Sequence, residues 1–322
     1  MADERPLVSI ITANHNGAAF LAAAAHSVLG QTLAGFEWII ADDASTDDSL
    51  AVIAAACGGD SRVRVLPAAV NGGPAVARNR ALAAARGAWI AVFDSDDLME
   101  PDRLERLLAE ARSSDADIVV DNMRVFSAAD PTGQPLLNGQ AYADPRWITL
   151  ADYIASSRMY APRPGLGYLK PMFNSDKLGP LRYRETLKIG EDYDLVLTLM
   201  ARGARLRLTP PALYGYRKHG ASISAVMRGD HLVQMMAADA EFEAGLAAHP
   251  PQVRRAQRRR RRSLETALAY DTIICALKRG DLRAGLLLSL RQPRSWPLLT
   301  LPVRVRVRRL WTRFRPPAAR WC

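Results

Sequence analysis

At 322 residues, with 49% hydrophobic and 24% charged side chains, the chain has the make-up of a folded globular protein, which excludes an extended disordered one. Its net charge of +10 is unevenly carried: Pro251 to Cys322 hold 19 Lys and Arg against 3 acidic residues, while the first 250 positions sum to −6. Three cysteines (Cys57, Cys275, Cys322) with no C-x-x-C spacing indicate neither a disulfide framework nor a zinc site, and a reducing, cytosolic setting is expected.

The opening residues, Met1 to Pro6, lack the basic and long apolar regions of a secretion signal, and no apolar run approaches the roughly 20 residues of a membrane span. Leu7 to Ala13 is a β-branched, near-continuous apolar run that predicts a strand buried on both faces. Asn14 to Gly17 ends it, and the Ala-rich stretch Ala18 to Leu29 predicts a helix. Phe36 to Ala41 is the second strand, after which Asp42 to Asp47 supply capping side chains for a helix through about Ala56. Val63 to Leu66 is a third strand. Asn71-Gly-Gly-Pro74 then places a proline at the start of a helix that runs to about Arg86. Trp89 to Phe93 is the fourth strand, Pro101 to Ala111 a helix, and Ile118 to Val120 opens a fifth strand. This alternation predicts an α/β fold with a mainly parallel central sheet flanked by helices.

Ala128 to Gly167 reads as loops around a short helix near Leu150 to Ser157. Gly190 to Ala201 predicts an acidic helix start followed by an apolar helix. Leu206 to Leu208 and Ala212 to Tyr216 read as two closing strands, and His231 to Ala247 and Ser263 to Lys278 as helices, with the arginine-rich run Arg254 to Arg262 ahead of the last one.

The carboxylates fall where chemistry is expected. Asp42 and Asp43 follow strand two, Asp94, Asp96 and Asp97 follow strand four, and Glu191 and Asp192 open a later helix. In a parallel sheet the first two clusters share an edge above one crevice, the usual place for a ligand. Taken singly, each cluster also reads as helix-capping acid. Gathered in one cleft, they repel unless a divalent cation neutralises them, and hard oxygen donors suit Mn2+ or Mg2+. Magnesium favours a few carboxylates plus substrate phosphates, which points to a nucleotide diphosphate as guest.

Val8-Ser-Ile-Ile with Asn16-Gly17, Trp38-Ile-Ile-Ala-Asp-Asp-Ala-Ser-Thr-Asp47, Asn71-x-Gly73 with Ala77-Arg-Asn79, Phe93-Asp-Ser-Asp-Asp97, Gly190-Glu-Asp192, and Tyr216-Arg-Lys-His219 with Ser222-Ile-Ser224 follow one another in order. In this order and spacing the chain resembles family 2 glycosyltransferases, densely over about the first 100 residues. The resemblance implies a GT-A-type fold and inverting, metal-dependent transfer of a sugar from a nucleotide-diphosphate sugar, with UDP the family's commoner carrier. It implies that Asp43 binds the base, that Ala13, His15 and Asn16 pack around it, and that Arg78, Asp94 and Ser95 lie beside the nucleotide-sugar. Asp96 is implied as metal ligand, with His219 approaching the metal or diphosphate. Asp192 is implied as the catalytic base, supported by Glu191. A glycan or lipid-linked glycan is the implied acceptor, and Gly165 to Lys170 could form part of its wall.

The basic end mixes arginine with Trp296, Trp311, Phe314 and Trp321, which suits the headgroups of an anionic membrane surface. A solvated helix face is the other reading of Arg254 to Arg262, and no nucleic-acid motif accompanies the charge. The expected organisation is a catalytic domain over 1–226 (nucleotide half 1–125, acceptor half 126–226) and a helical, Arg-rich region over 227–322. The enzyme is expected to be cytoplasmic and peripheral on the inner face of the membrane. Nucleotidyl transfer is disfavoured because Asn14-His-Asn-Gly17 offers no Lys-bearing phosphate loop. A catalytically idle GT-A-like scaffold is the alternative from another class.

Overall fold

The computed structural model describes residues 5–220 and 227–300. The Ser222-Ile-Ser224 motif and the tail from Val303 to Trp321 therefore lie outside the described residues. The first half runs as the hydrophobic pattern dictates: β1 (Val8–Asn14), α1 (Ala18–Leu29), β2 (Phe36–Asp42), α2 (Ser49–Cys57), β3 (Val63–Pro67), α3 (Pro74–Ala84) and β4 (Trp89–Val92). Every residue of β2 is buried, in keeping with a strand covered on both faces. After it come β5 (Leu98–Met99), α4 (Arg103–Ser114), β6 (Ile118–Ser127), β7 (Asp130–Pro135), β8 (Arg146–Ile148), α5 (Leu150–Ser156), β9 (Met172–Asn174) and α6 (Ser175–Leu178). The chain continues through α7 (Glu191–Ala201), β10 (Leu206–Lys218), α8 (Gly229–Ala244), α9 (Pro251–Lys278), α10 (Leu282–Arg291) and α11 (Trp296–Leu299).

The strands form one sheet in the order β3-β2-β1-β4-β9-β6-β10-β5, with β7 beside β6 and β8 beside β10. The parallel arrangement holds across β3-β2-β1-β4 and between β6 and β10. Between these halves β9 runs antiparallel to both β4 and β6. β5, β7 and β8 also join antiparallel, so the sheet is mixed. The two closing strands expected near residue 210 are one strand, β10. Its register shifts between Thr209 and Ala212, where Pro210 and Pro211 offer no N–H to the ladder.

Trp38, Phe93 and Tyr214, all fully buried, stack edge to face with centroids 6.4 and 6.0 Å apart. The Trp38 indole donates to Thr12 Oγ1 at 2.9 Å. The arginine run 254–262 does not precede a helix; it lies within α9, which packs on α5 and α8. α5 in turn packs on α7.

Candidate active site

β4 delivers the chain to the acidic turn 94–97, and β10 fixes that turn from the other side. The Asp94 N–H donates to the Tyr214 hydroxyl at 3.1 Å, and that hydroxyl donates to Asp97 Oδ2 at 2.7 Å. The Arg217 N–H donates to Asp97 Oδ1 at 2.7 Å. Asp97 is thus wholly buried and both its oxygens are engaged. Burial, with Asp94 and Asp96 beside it, pushes its carboxyl well above the usual range. Arg217 also donates to the Asp96 carbonyl at 2.8 Å, with its guanidinium packed over Phe20 and Phe126.

Asp96 is the member of the turn left for a ligand. Its Oδ2 lies 2.7 Å from His219 Nε2, and the His219 ring packs on Phe20 with centroids 4.4 Å apart. His219 Nδ1 is buried without a hydrogen-bond partner. Asp94, Asp96 and Asp97 can each offer one carboxylate oxygen within 4.8 Å of the others. The donor set fits a hard divalent cation that keeps few protein ligands and completes its shell with phosphate and water. With Asp94 and Asp97 engaged by protein partners, Asp96 is the acid of the turn whose second oxygen, Oδ1, has no hydrogen-bond partner among the described residues.

A second network joins this turn to the start of α7. Arg78 on α3 donates to Asp94 Oδ1 at 2.7 Å and to Glu191 Oε1 at 2.5 Å, and lies 3.7 Å from Asp192 Oδ1. Lys170 Nζ lies 2.7 Å from Asp94 Oδ2 and 2.8 Å from Asp192 Oδ2. Burial works against the Asp94 carboxylate, but the Lys170 ammonium and Arg78 guanidinium outweigh it and hold the carboxyl well below its usual range. Burial likewise opposes the Lys170 ammonium, yet Asp192 and Asp94 raise it above the usual lysine range. Asp192 Oδ1 is left buried and without a hydrogen-bond partner. Gly190 makes this geometry possible. Its φ of 88° turns the chain sharply into α7, and a Cβ there would press to 2.7 Å from Met235 Cε.

Lys170 is held from behind by the buried pair of Arg103 on α4 and Asp121 on β6. Arg103 Nη2 donates to Asp121 Oδ1 at 2.9 Å and to the Lys170 carbonyl at 2.8 Å. Sequence reasoning placed Lys170 in a possible acceptor wall and did not foresee its two carboxylates. The only available signal was a lone lysine in an otherwise apolar stretch beside Pro171-Met-Phe173.

The expected base-binding residues form a separate group beside β1 and β2. Asp43 accepts from the Gly72 and Gly73 N–H groups at 2.9 and 2.7 Å, a contact that needs the positive φ (89°) of Gly73. His15 Nδ1 lies 2.9 Å from the Asp43 carbonyl, and Asn16 Oδ1 accepts from the Thr46 N–H at 2.8 Å. Ala13 is half-buried at the end of β1 and in register with Ala41. Ser95 is buried, and its hydroxyl would lie 3.3 Å from a Cβ placed on Gly17. The structure thus unites Asp94, Arg78, Glu191 and Asp192 in one network and pairs Asp96 with His219. Arg78, expected beside the nucleotide-sugar, is here the counter-ion of Asp94 and Glu191.

Residues 9–164 match Glycosyl transferase family 2. Succinoglycan biosynthesis protein ExoO of Rhizobium meliloti (strain 1021) is 36% identical over 319 residues, 98% of this chain and 90% of that protein. ExoU of the same strain is 36% identical over 243 residues, 74% of this chain and 70% of that protein. Among solved structures, S. aureus TarS 1–349 in complex with UDP-GlcNAc aligns with a TM-score of 0.62 at 18% identity, covering 89% of this chain and 92% of that one. Mannosyltransferase PcManGT of Pyrobaculum calidifontis, solved with GDP-Man and Mn2+, aligns with a TM-score of 0.57 at 18% identity, covering 96% and 88%. A mixed α/β sheet of this kind, with an acidic turn at the end of β4, is that of a GT-A-type sugar transferase. The chain belongs to glycosyltransferase family 2.

Proposed function

We propose that the protein transfers a sugar, with inversion, from a nucleotide-diphosphate sugar to a hydroxyl of a glycan or lipid-linked glycan during exopolysaccharide assembly. The pathway is suggested by the relatives ExoO and ExoU, named for succinoglycan biosynthesis. A UDP-sugar is the donor we favour, although the structural neighbours are described with UDP-GlcNAc and with GDP-Man. The observation that carries the reading is the Lys170 bridge, which holds Asp192 beside the acidic turn with Oδ1 accepting no hydrogen bond and 3.7 Å from Arg78.

In this reading Asp43, with Ala13, His15 and Asn16, receives the base, while Arg78, Asp94 and Ser95 line the donor. Asp96 and His219 would hold Mn2+ or Mg2+, which when bound supplies counter-charge to the diphosphate. Asp192 Oδ1 accepts the proton of the acceptor hydroxyl as that oxygen bonds to the anomeric carbon and the bond to the diphosphate oxygen breaks. One displacement inverts the centre. Lys170 fixes the position of the Asp192 carboxylate through its 2.8 Å contact with Oδ2, and Glu191 orients the site through Arg78.

We assign the catalytic part to 1–226, with a nucleotide half over 1–125 and an acceptor half over 126–226, and an appended helical region to 227–322. We place the enzyme on the cytoplasmic side of the membrane as a peripheral protein. No helix among the described residues is long and apolar enough to cross a membrane. The test is Asp192→Asn, a change that removes the proton acceptor and keeps the shape. Transfer is expected to fall at least ~100-fold with nucleotide affinity retained, in line with a general base. A variant that transfers at the wild-type rate refutes the assignment.

A further inference from the structure

The exposed apolar surface is densest on α10. Leu282, Leu286, Leu287 and Leu290 are 70, 61, 55 and 59% exposed, and Trp296 just beyond is 50% exposed. Single exposed leucines are ordinary, but four on one ten-residue helix are not. Gly285 is the buried residue of α10, and a Cβ there would come within 2.6 Å of Leu277 Cδ2. The helix therefore seats its glycine edge on α9 and turns its leucines outward. Lys278, Arg279, Arg283, Arg291 and Arg294 are exposed around them, without ion pairs among the described residues. The one acid in this stretch, Asp281, is engaged in capping: its Oδ1 accepts from the Ala284 N–H at 2.9 Å.

We propose that the leucine face of α10, with Arg283 and Arg291 on the same helix, Lys278, Arg279 and Arg294 just beyond its ends, and Trp296 following, is the surface by which the enzyme docks on an anionic lipid leaflet. The inference rests on the membrane-side reading above and gives it a location other than the arginine run. In that run Arg260 is buried against Asp239, and Arg261 is paired with Glu243 and Glu265. Apolar side chains set among lysine and arginine, with a tryptophan at the margin, suit the boundary between headgroups and acyl chains.

The charge selects the occupant. A second copy would bring cation against cation across a two-fold contact. Residues 301–322 carry seven arginines and no acid, so they share the sign of the patch and add to its attraction for an anionic leaflet. A leaflet satisfies the apolar and the cationic requirements together. α10 packs on α9, α9 on α5, and α5 on α7, so docking there connects the lipid surface to the helix that bears Asp192.

The test is flotation of the full chain with phosphatidylcholine vesicles, with and without phosphatidylglycerol, beside the double variant Leu286→Glu, Leu290→Glu. Nucleotide binding and the melting temperature are followed on the same samples. Wild type is expected to float with the anionic vesicles, weakly with the neutral ones, and less as salt rises. The variant is expected to lose at least ~10-fold in binding, with its melting temperature and nucleotide affinity unchanged because both side chains face solvent. Equal binding by the variant overturns the proposal, as does a wild type that ignores anionic lipid. A dimer in solution that the variant breaks also overturns it, in favour of a second copy. None of these failures touches the transferase reading, which the nucleotide measurement follows separately.

Discussion

Lys170 touches two carboxylates from different parts of the chain, 2.7 Å from Asp94 and 2.8 Å from Asp192. Replacing it with methionine leaves both mostly buried acids facing each other with one cation, Arg78, between them. Lys170→Met is expected to lower kcat by ~10–100-fold, the scale of one charge-assisted hydrogen bond, with Lys170→Arg restoring part of it. The same change carries a pH signature. Asp94 is held below its unfolded value, so its contribution to stability is complete above the ordinary carboxylate range and lost as pH falls through that range and below it. Without Lys170 that contribution shrinks. The gap in melting temperature between wild type and variant is therefore expected to be widest near neutrality and to narrow below about pH 4. A gap independent of pH contradicts the role given to Lys170. The sequence revealed the acids, because Asp94, Asp96 and Asp192 sit in recognisable local patterns. It did not reveal their cation, since Lys170 meets Asp192, 22 positions on, only after β9, α6 and the loop behind them have folded back.

The elements show where local pattern suffices and where it fails. β1 to β4 and their helices fall within a few residues of expectation, because long apolar runs and the proline that starts α3 are local signals. The N-cap of α2, expected among Asp42 to Asp47, is instead Asp48, with no side-chain cap hydrogen bond. β5 and β9 escaped because two or three residues carry no periodicity. The arginine run is more instructive. Read as a block of charge it looks solvated, yet α9 buries Val253, Ala256, Gln257, Arg260, Leu264 and Ala267, a stripe at helical spacing with an arginine inside it. Arg260 donates to Asp239 at 2.9 Å, and its guanidinium lies 3.9 Å from the centroid of Tyr193, next to the proposed base. Arg260→Ala is expected to cost about 3–5 kcal/mol by leaving Asp239 buried without its ion-pair partner, with the Gln257 amide alone donating to it. Arg258→Ala, on the exposed face, should stay within about 0.5 kcal/mol. Urea denaturation of the two variants decides it, and equal costs contradict the burial of this pair.

At the scale of the whole molecule the sheet works by juxtaposition. The parallel half places Asp43 and the acidic turn 94–97 above one edge, and the antiparallel β9 follows Lys170 so as to lock it between β4 and β6. β10 then returns Tyr214, Arg217 and His219 to that turn from more than 110 residues away. No single stretch of sequence contains this site; family spacing pointed to its acids, and the crossing of strands brings Lys170 and Tyr214 to them. The nucleotide should therefore enter with its diphosphate toward Asp96 and His219. Titration calorimetry with UDP, with and without Mn2+, on wild type and Asp96→Ala tests this most directly. The account predicts binding that Mn2+ strengthens in wild type, by at least ~10-fold, and does not strengthen in the variant. Binding of UDP to wild type that ignores Mn2+, or a variant that responds to it as wild type does, would contradict a metal-dependent site at Asp96.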